Sequence, residues 1–361
     1  MGSLALLMAM VATMGGPRVE RVENGGLLFT DNQAGVTGTD CGYSLAIGAR
    51  TLWFFGDVFL KDPVSPGRES RGFVSNCALH VPAGRGAAPL RRYQFLVDRK
   101  TGCARPVLLN EPGETEKIRL WPLGGWYDAA GETAYLFYNI VEFTGEGGPF
   151  GFRALGHGLA RASTRSLEGL TFTRLRSPGG SLVWWPAPGD LMGVAVVHPR
   201  REGETSLYVV GVRESSGRKH ALLARVAPAE IADARRYQYY AGGDAERPLW
   251  ADRVEEAAEV QGLADFPSEL SVAYNPYLGG YLAVHTVGLS EKMRLSLAPH
   301  PWGPYRPVAE IAAPHQPFAS SFCYAGKEHP ELAEQGGRVI YVTYVDQQRY
   351  WLQLLKVTLA R

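Results

Sequence analysis

The 361-residue sequence predicts an all-β fold: a five-bladed β-propeller with four-stranded blades, its ring closed by an N-terminal strand. Three observations predict it. A strongly β-forming run recurs five times along the chain. Each recurrence has shorter runs before and after it in a fixed order. Gly (43) and Pro (24) together reach about 19% of the chain, a composition suited to many turns.

The recurring runs are residues 51–57, 133–139, 206–212, 280–286 and 339–345. Their spacing is roughly 60–80 residues, long enough for one blade each. Aromatic and β-branched residues dominate them, and glycine-rich or polar clusters bound them. Runs that precede them, 42–47, 121–127, 192–198, 270–275 and 321–325, supply the first strand of each unit. Those that follow, 76–81, 158–163, 221–227, 294–298 and 352–359, supply the third. A fourth run appears at 93–97, 170–175, 237–241 and 305–311, and the fifth unit has none. Residues 18–29 have no partner of their own and complete that last blade. Blades are covered on both faces, so their middle strands should read as nearly continuous apolar runs, as Trp53-Phe54-Phe55 does. A β-sandwich, the competing architecture, predicts cleaner in/out alternation and no fivefold similarity. Residues 229–235 and 255–260 are expected as short helices or loops.

Charge and cysteine usage narrow the partners. Lys+Arg (37) balance Asp+Glu (36), which removes the electrostatic case for nucleic acid or an anionic membrane surface. A neutral partner such as a carbohydrate fits that balance. Cys41, Cys77, Cys103 and Cys323 form no C-x-x-C pair, so they read as buried thiols or as one or two disulfides. Residues 4–14 are apolar and suit the core of an export signal, although no Lys or Arg precedes them. They are too short to span a bilayer. Residues 1–16 are therefore expected as a signal or disordered segment and 17–361 as one domain. The protein is expected to be secreted or periplasmic, with the cytoplasm as the alternative, and monomeric.

The chemistry falls on the first hairpin. Gly48-Ala49 suits a two-residue turn, which pairs Ile47 with Arg50 and sets Asp40 opposite Asp57. Opposed side chains share a face with Cβ atoms about 4.5–5.5 Å apart, so two carboxylates there should drive one pKa upward. Such a pair suits acid–base work on a sugar. A one-residue slip in register would change the face. First-strand starts and second-strand ends meet at one rim, which collects Asp40, Asp57, Arg119, Trp121, Asn139, Glu142, Arg213, Glu214, Glu269, His285 and Asp346. Third-strand starts add Asn76, His157 and Arg294.

Each candidate also has a plainer role. Asp40 and Asp57 could form turns, Glu269 could pair with Arg294, and His285 could be a satisfied core histidine. Trp121 could pack a blade or carry a sugar ring. Metalloprotease, nucleophile-elbow, P-loop and dinucleotide motifs are all absent, as are the Asp-box repeats of sialidases.

Several segments resemble one family. Gly38-Thr-Asp-Cys-Gly-Tyr-Ser44 followed by Thr51-Leu-Trp-Phe-Phe-Gly-Asp-Val-Phe59 is similar to the opening signature of domain of unknown function 4185. Agreement continues at Gly72-Phe-Val-Ser-Asn76, residues 267–276, Pro301-Trp-Gly-Pro-Tyr305 and residues 324–331. The resemblance runs from about residue 30 to the end. It implies a five-bladed propeller related in shape to arabinanase- and fructosidase-like glycosidases, with endo-D-arabinanases among its relatives. It also implies that catalytic acids fall on Asp40 and Asp57, and it places Glu269 in a Ser-Glu-Leu-Ser motif. Cys41 departs mildly from the small residue common there.

The sequence thus points to a glycoside hydrolase acting on a polysaccharide, with arabinan-type polymers the candidate that the resemblance suggests. Asp40 is expected as base or nucleophile, Asp57 as acid or modulator, and Glu269 as the alternative acid. Asn76, Arg119, Trp121, His285 and Arg294 are the expected substrate-binding residues. No metal ligand set and no required cofactor are expected, and the channel leaves room for a structural cation. A non-catalytic carbohydrate-binding propeller and a phosphorolytic enzyme are the alternatives.

Overall fold

A computed structural model describes residues 16–61, 72–146, 151–198, 203–313 and 322–361. Its first strand is β1 (Arg18–Leu27). Blade I follows as β2 (Val36–Ile47), β3 (Arg50–Leu60), β4 (Gly72–Pro82) and β5 (Gln94–Phe95). Blade II is β6 (Ile118–Asp128), β7 (Thr133–Phe143), β8 (Phe152–Ser163), β9 (Thr173–Arg174) and β10 (Trp185–Pro186). Blade III is β11 (Leu191–Val197), β12 (Leu207–Ser215), β13 (Arg218–Val226), β14 (Gln238–Gly243) and β15 (Pro248–Ala251). Blade IV is β16 (Ser271–Asn275), β17 (Gly280–Thr286), β18 (Lys292–Ala298) and β19 (Arg306–Ala312). Blade V is β20 (Cys323–Glu328), β21 (Val339–Asp346) and β22 (Trp351–Ala360), with β1 paired antiparallel to β22 as its outer strand.

Five sheets, one per blade, therefore match the sequence expectation, and joining the two chain ends in one sheet closes the ring. The differences are local. The outer strands of blades I and II shrink to two-residue pairings, and β10 and β15 add unforeseen edge strands to blades II and III. The segments expected as short helices or loops form 3₁₀ turns at Pro228–Glu230, Ala234–Arg236 and Val254–Glu256. All four cysteines are free thiols, three of them buried. Residues 4–14, and Ser321 of the fifth inner strand, lie outside the described residues. No described helix is long and apolar enough to cross a membrane.

Middle strands split their side chains between two interfaces because successive residues point to opposite faces. On β3, Trp53 and Phe55 pack toward blade V, whereas Leu52 and Phe54 pack toward blade II. On β21, Tyr341 and Val345 join the blade I interface, whereas Ile340, Val342 and Tyr344 join blade IV. Five apolar clusters result, one for each pair of neighbouring blades.

Inner strands crowd around the axis and break their ladders there. β2, β6, β11 and β20 each slip register in mid-strand, at Cys41/Tyr43, Pro122/Gly125, Met192/Ala195 and Tyr324/Lys327. A glycine lies within every slip: Gly42, Gly124, Gly193 and Gly326. A Cβ on Gly193 would sit 2.4 Å from the Phe137 ring, and one on Gly124 would sit 2.8 Å from Ala195 backbone. Glycine is what lets the blades approach so closely. Carbonyls freed by the bulges turn to side chains: Tyr43 Oη donates to Val194 O at 2.9 Å, and His157 Nδ1 to Met192 O at 2.8 Å.

Candidate active site

A cavity of about 630 Å³ opens at one end of the ring, walled by residues from all five blades. Blade I contributes Asp40 and Asp57, blade II Trp121 and Asn139, and blade III Glu214 and Lys219. Glu269 lines it at the start of blade IV, and Tyr324 and Tyr350 line it from blade V. Six of the residues expected at this rim thus meet around one space.

Asp40 and Asp57 come together by a different route from the one expected. The turn does pair Ile47 with Arg50, but the bulge at Cys41–Gly42 shifts the register, so Asp40 faces Gly56 rather than Asp57. Cys41 (φ 63°) and Gly42 (φ 76°) both adopt left-handed backbone there. A glycine inside a strand signals such a bulge, and Gly42 is that signal in the sequence. Asp57 is itself left-handed at φ 32°, a conformation tolerated better by Asp than by most residues. That turn re-aims its side chain into the cavity shared with Asp40. Gly56 leaves the space: a Cβ there would lie 3.0 Å from Asp40 Oδ1 and 3.3 Å from Trp121 Cδ1.

The two carboxyls have unlike surroundings. Asp57 Oδ1 accepts from Trp121 Nε1 at 2.8 Å, and Oδ2 accepts from Arg119 Nη1 at 2.9 Å. Arg119 is held in turn between the Phe73 and Phe143 rings, 4.3 and 4.1 Å from their centres. Burial raises the Asp57 carboxyl above its ordinary 3.8, and Arg119 and Trp121 hold back part of that rise. Among the described residues, Asp40 has no such cation. Its Oδ2 accepts from Tyr324 Oη and Tyr350 Oη, each at 3.0 Å. Burial, then the charges of Asp57 and Glu269, push Asp40 from its ordinary 3.8 up to about 7, against the two tyrosines.

Glu269 is buried beside Lys327, whose Nζ lies 3.6 Å from Glu269 Oε1. Lys327 is 2% exposed and donates to Cys41 O at 2.6 Å and Ala325 O at 2.7 Å, two carbonyls at the bulges of β2 and β20. Its ammonium also sits 4.5 Å from the centre of the Tyr43 ring. Lys327 and Tyr43 line a separate hollow of about 160 Å³ on the far side, so together they form the floor between the two spaces.

Other expected binding residues lie elsewhere. Asn76 is fully buried, accepting from the amides of Val107 and Leu108 at 2.9 Å and donating to Leu108 O and Leu120 O. It fastens an interblade segment and has no capacity left for a ligand. His285 is buried with Nδ1 bonded to Thr286 O at 2.8 Å, and burial lowers its pKa to about 4, the behaviour of a core histidine. Arg294 pairs with Glu310 at 2.8 Å and does not line the cavity. Arg119 acts through Asp57. Tyr324, Tyr350 and Lys327 were not foreseen as site residues; only ring closure brings blade V to Asp40. Among the described residues, no group of three or more His, Cys, Asp or Glu is placed to hold a metal ion.

The raised Asp40 carboxyl has a consequence for stability. A folded-state value above the unfolded one means that its contribution is fully present below about pH 4 and is lost as pH rises through about 7. Asp40→Asn should therefore melt about 2–4 °C higher than the native protein at pH 8, with the gap closing by pH 4. Calorimetric scans across that range test this, and an Asn variant less stable at pH 8 would contradict it.

Comparison with known proteins adds two findings. The family described as Domain of unknown function (DUF4185) matches residues 27–356. Among solved structures, the GH43_1 enzyme from Xanthomonas citri is similar with a TM-score of 0.50 and 12% identity, covering 92% of this chain and 90% of that one. The catalytic domain of the Coprinopsis cinerea GH62 alpha-L-arabinofuranosidase aligns with a TM-score of 0.48 and 11% identity, covering 95% and 98%. At such identities the likeness is one of fold. No curated protein matches the sequence significantly.

Proposed function

The chain belongs to the DUF4185 family, and on that premise we propose that it is a glycoside hydrolase acting on a polysaccharide, with arabinan-type polymers the leading candidates. The observation that carries the proposal is the pair of unlike carboxyls sharing one cavity. Surroundings that push two acids apart mark the proton donor and its ionised partner. Asp57, gripped by Arg119 and Trp121, is the anion. Asp40, with two tyrosine donors, two neighbouring carboxylates and no cation among the described residues, carries the proton. This assignment reverses the roles expected from the sequence.

In the proposed reaction Asp40 gives its proton to the glycosidic oxygen as the bond to the anomeric carbon breaks. Asp57 either attacks that carbon or takes a proton from the attacking water, according to the separation of the two carboxyls. The Trp121 and Phe152 rings, which also line the cavity, offer apolar faces to a sugar ring. The fold shared with a GH43 enzyme supports the reading without identifying the polymer.

Incubation with plant, fungal and mycobacterial polysaccharides, followed by sugar release across pH, is the test. Release from one polymer is expected, with kcat/KM falling above about pH 7 as Asp40 loses its proton. Binding of a polymer without any release would overturn hydrolysis in favour of a non-catalytic propeller. Release that depends on added phosphate would overturn it in favour of phosphorolysis.

A further inference from the structure

Two buried oxygens in the wall of this cavity accept no hydrogen bond from any described residue: Asn139 Oδ1 on blade II and Glu269 Oε1 on blade IV. Glu269 is 8% exposed, and the Lys327 ammonium at 3.6 Å balances its charge from beyond hydrogen-bond reach. Lys327 directs its short contacts to Cys41 O and Ala325 O instead. Leaving a buried acceptor unmet costs its desolvation with nothing in return, so native proteins rarely keep two in one space. A ligand that brings hydrogen-bond donors removes that cost.

The charges around the cavity restrict the ligand further. Asp40, Asp57, Glu214, Asp265 and Glu269 line it, against Arg218 and Lys219. Both cations are already engaged. Arg218 Nε and Nη2 donate to the two oxygens of Asp265, each at 2.9 Å. Lys219 Nζ donates to Ser268 Oγ at 2.8 Å and to Pro267 O. Among the described residues, a carboxylate or sulfate on the ligand would meet carboxylates and no cation without a partner of its own.

We infer that Asn139 and Glu269 form a hydroxyl-reading subsite, which accepts hydrogen bonds from a neutral sugar and rejects uronic-acid and sulfated glycans. The inference rests on the glycoside hydrolase reading for its ligand class. It assigns Glu269 to recognition and makes Asn139 a specificity-determining residue. A site built around buried acceptors discriminates strongly, because a ligand lacking the matching donors leaves them unmet.

Titration calorimetry on the Asp40→Asn protein, in which turnover is suppressed, tests this with arabino-, xylo- and galacturono-trisaccharides. A neutral trisaccharide should bind, with galacturonotriose at least about 30-fold weaker. Asn139→Leu and Glu269→Met, added separately, should each weaken the neutral ligand about tenfold, whereas Glu269→Gln, which keeps an acceptor oxygen, should stay within about threefold. Melting curves establish that each variant is folded, and Asn139→Leu alone decides the matter if Glu269→Met is not. Equal binding of galacturonotriose, unchanged binding by Asn139→Leu, or no binding of any trisaccharide would overturn the subsite. Hydrolysis by the native protein alongside an unaffected Asn139→Leu removes this inference alone. Neutral-sugar binding with no hydrolysis removes the hydrolase reading and leaves the subsite standing.

Discussion

Asp57→Asn is expected to lower kcat/KM on the responsive polysaccharide by about 10²–10⁴-fold, and Asp40→Asn by a similar factor. The two losses should separate on an activated aryl glycoside. A leaving group of low basicity needs no proton, so the donor becomes dispensable while the anion does not. Asp40→Asn should therefore recover most of its rate on that substrate, and Asp57→Asn should remain impaired. The geometry behind this is the contrast between Arg119 at 2.9 Å from Asp57 and two neutral tyrosine donors at 3.0 Å from Asp40. Rescue of Asp57→Asn instead would exchange the roles. Two variants as active as the native protein would move the site elsewhere.

Lys327→Met is expected to destabilise the fold by about 3–5 kcal/mol, the usual cost of removing one member of a buried ion pair. The substitution leaves Glu269 beside an apolar chain and strips the Lys327 donor from Cys41 O and Ala325 O, which lie at the bulges of β2 and β20. Adding Glu269→Gln should restore part of the loss, since it removes the charge that the ammonium balanced. The carbonyls would still lack the Lys327 donor, so the double variant should remain below the native protein. Denaturant unfolding of the four proteins measures the coupling directly. A loss smaller than about 1 kcal/mol for Lys327→Met would show that the floor of the cavity does not depend on this ion pair.

The ring was readable because a propeller repeats one local unit. Each blade needs a middle strand apolar on both faces, and runs such as 51–57 and 339–345 show this without reference to the rest of the chain. Alternating strand direction then places Asp40, Asp57, Trp121, Asn139, Glu214 and Glu269 at one end, and all six line the cavity. Asn76, His285 and Arg294 fit the same rule and do not line it. Their side chains are bound to nearby backbone or to Glu310, which strand position alone does not reveal.

Ideal register also failed at the centre of the site. Counting back from the Gly48-Ala49 turn assumes two residues per pleat throughout, and Gly42 interrupts that count. Asp57, left-handed in its backbone, lines the cavity all the same.

Sequence alone therefore determined the number of blades, the strand that closes them and the end of the ring on which the acids gather, since these depend on local β-propensity and on alternating strand direction. Tertiary structure decided what surrounds each of the two acids. Tyr350 and Lys327 reach Asp40 and the Cys41 carbonyl across 310 and 286 residues of chain. Contacts of that span exist only after the last blade docks against the first, and burial, which moves the pKa values, exists only in the closed ring.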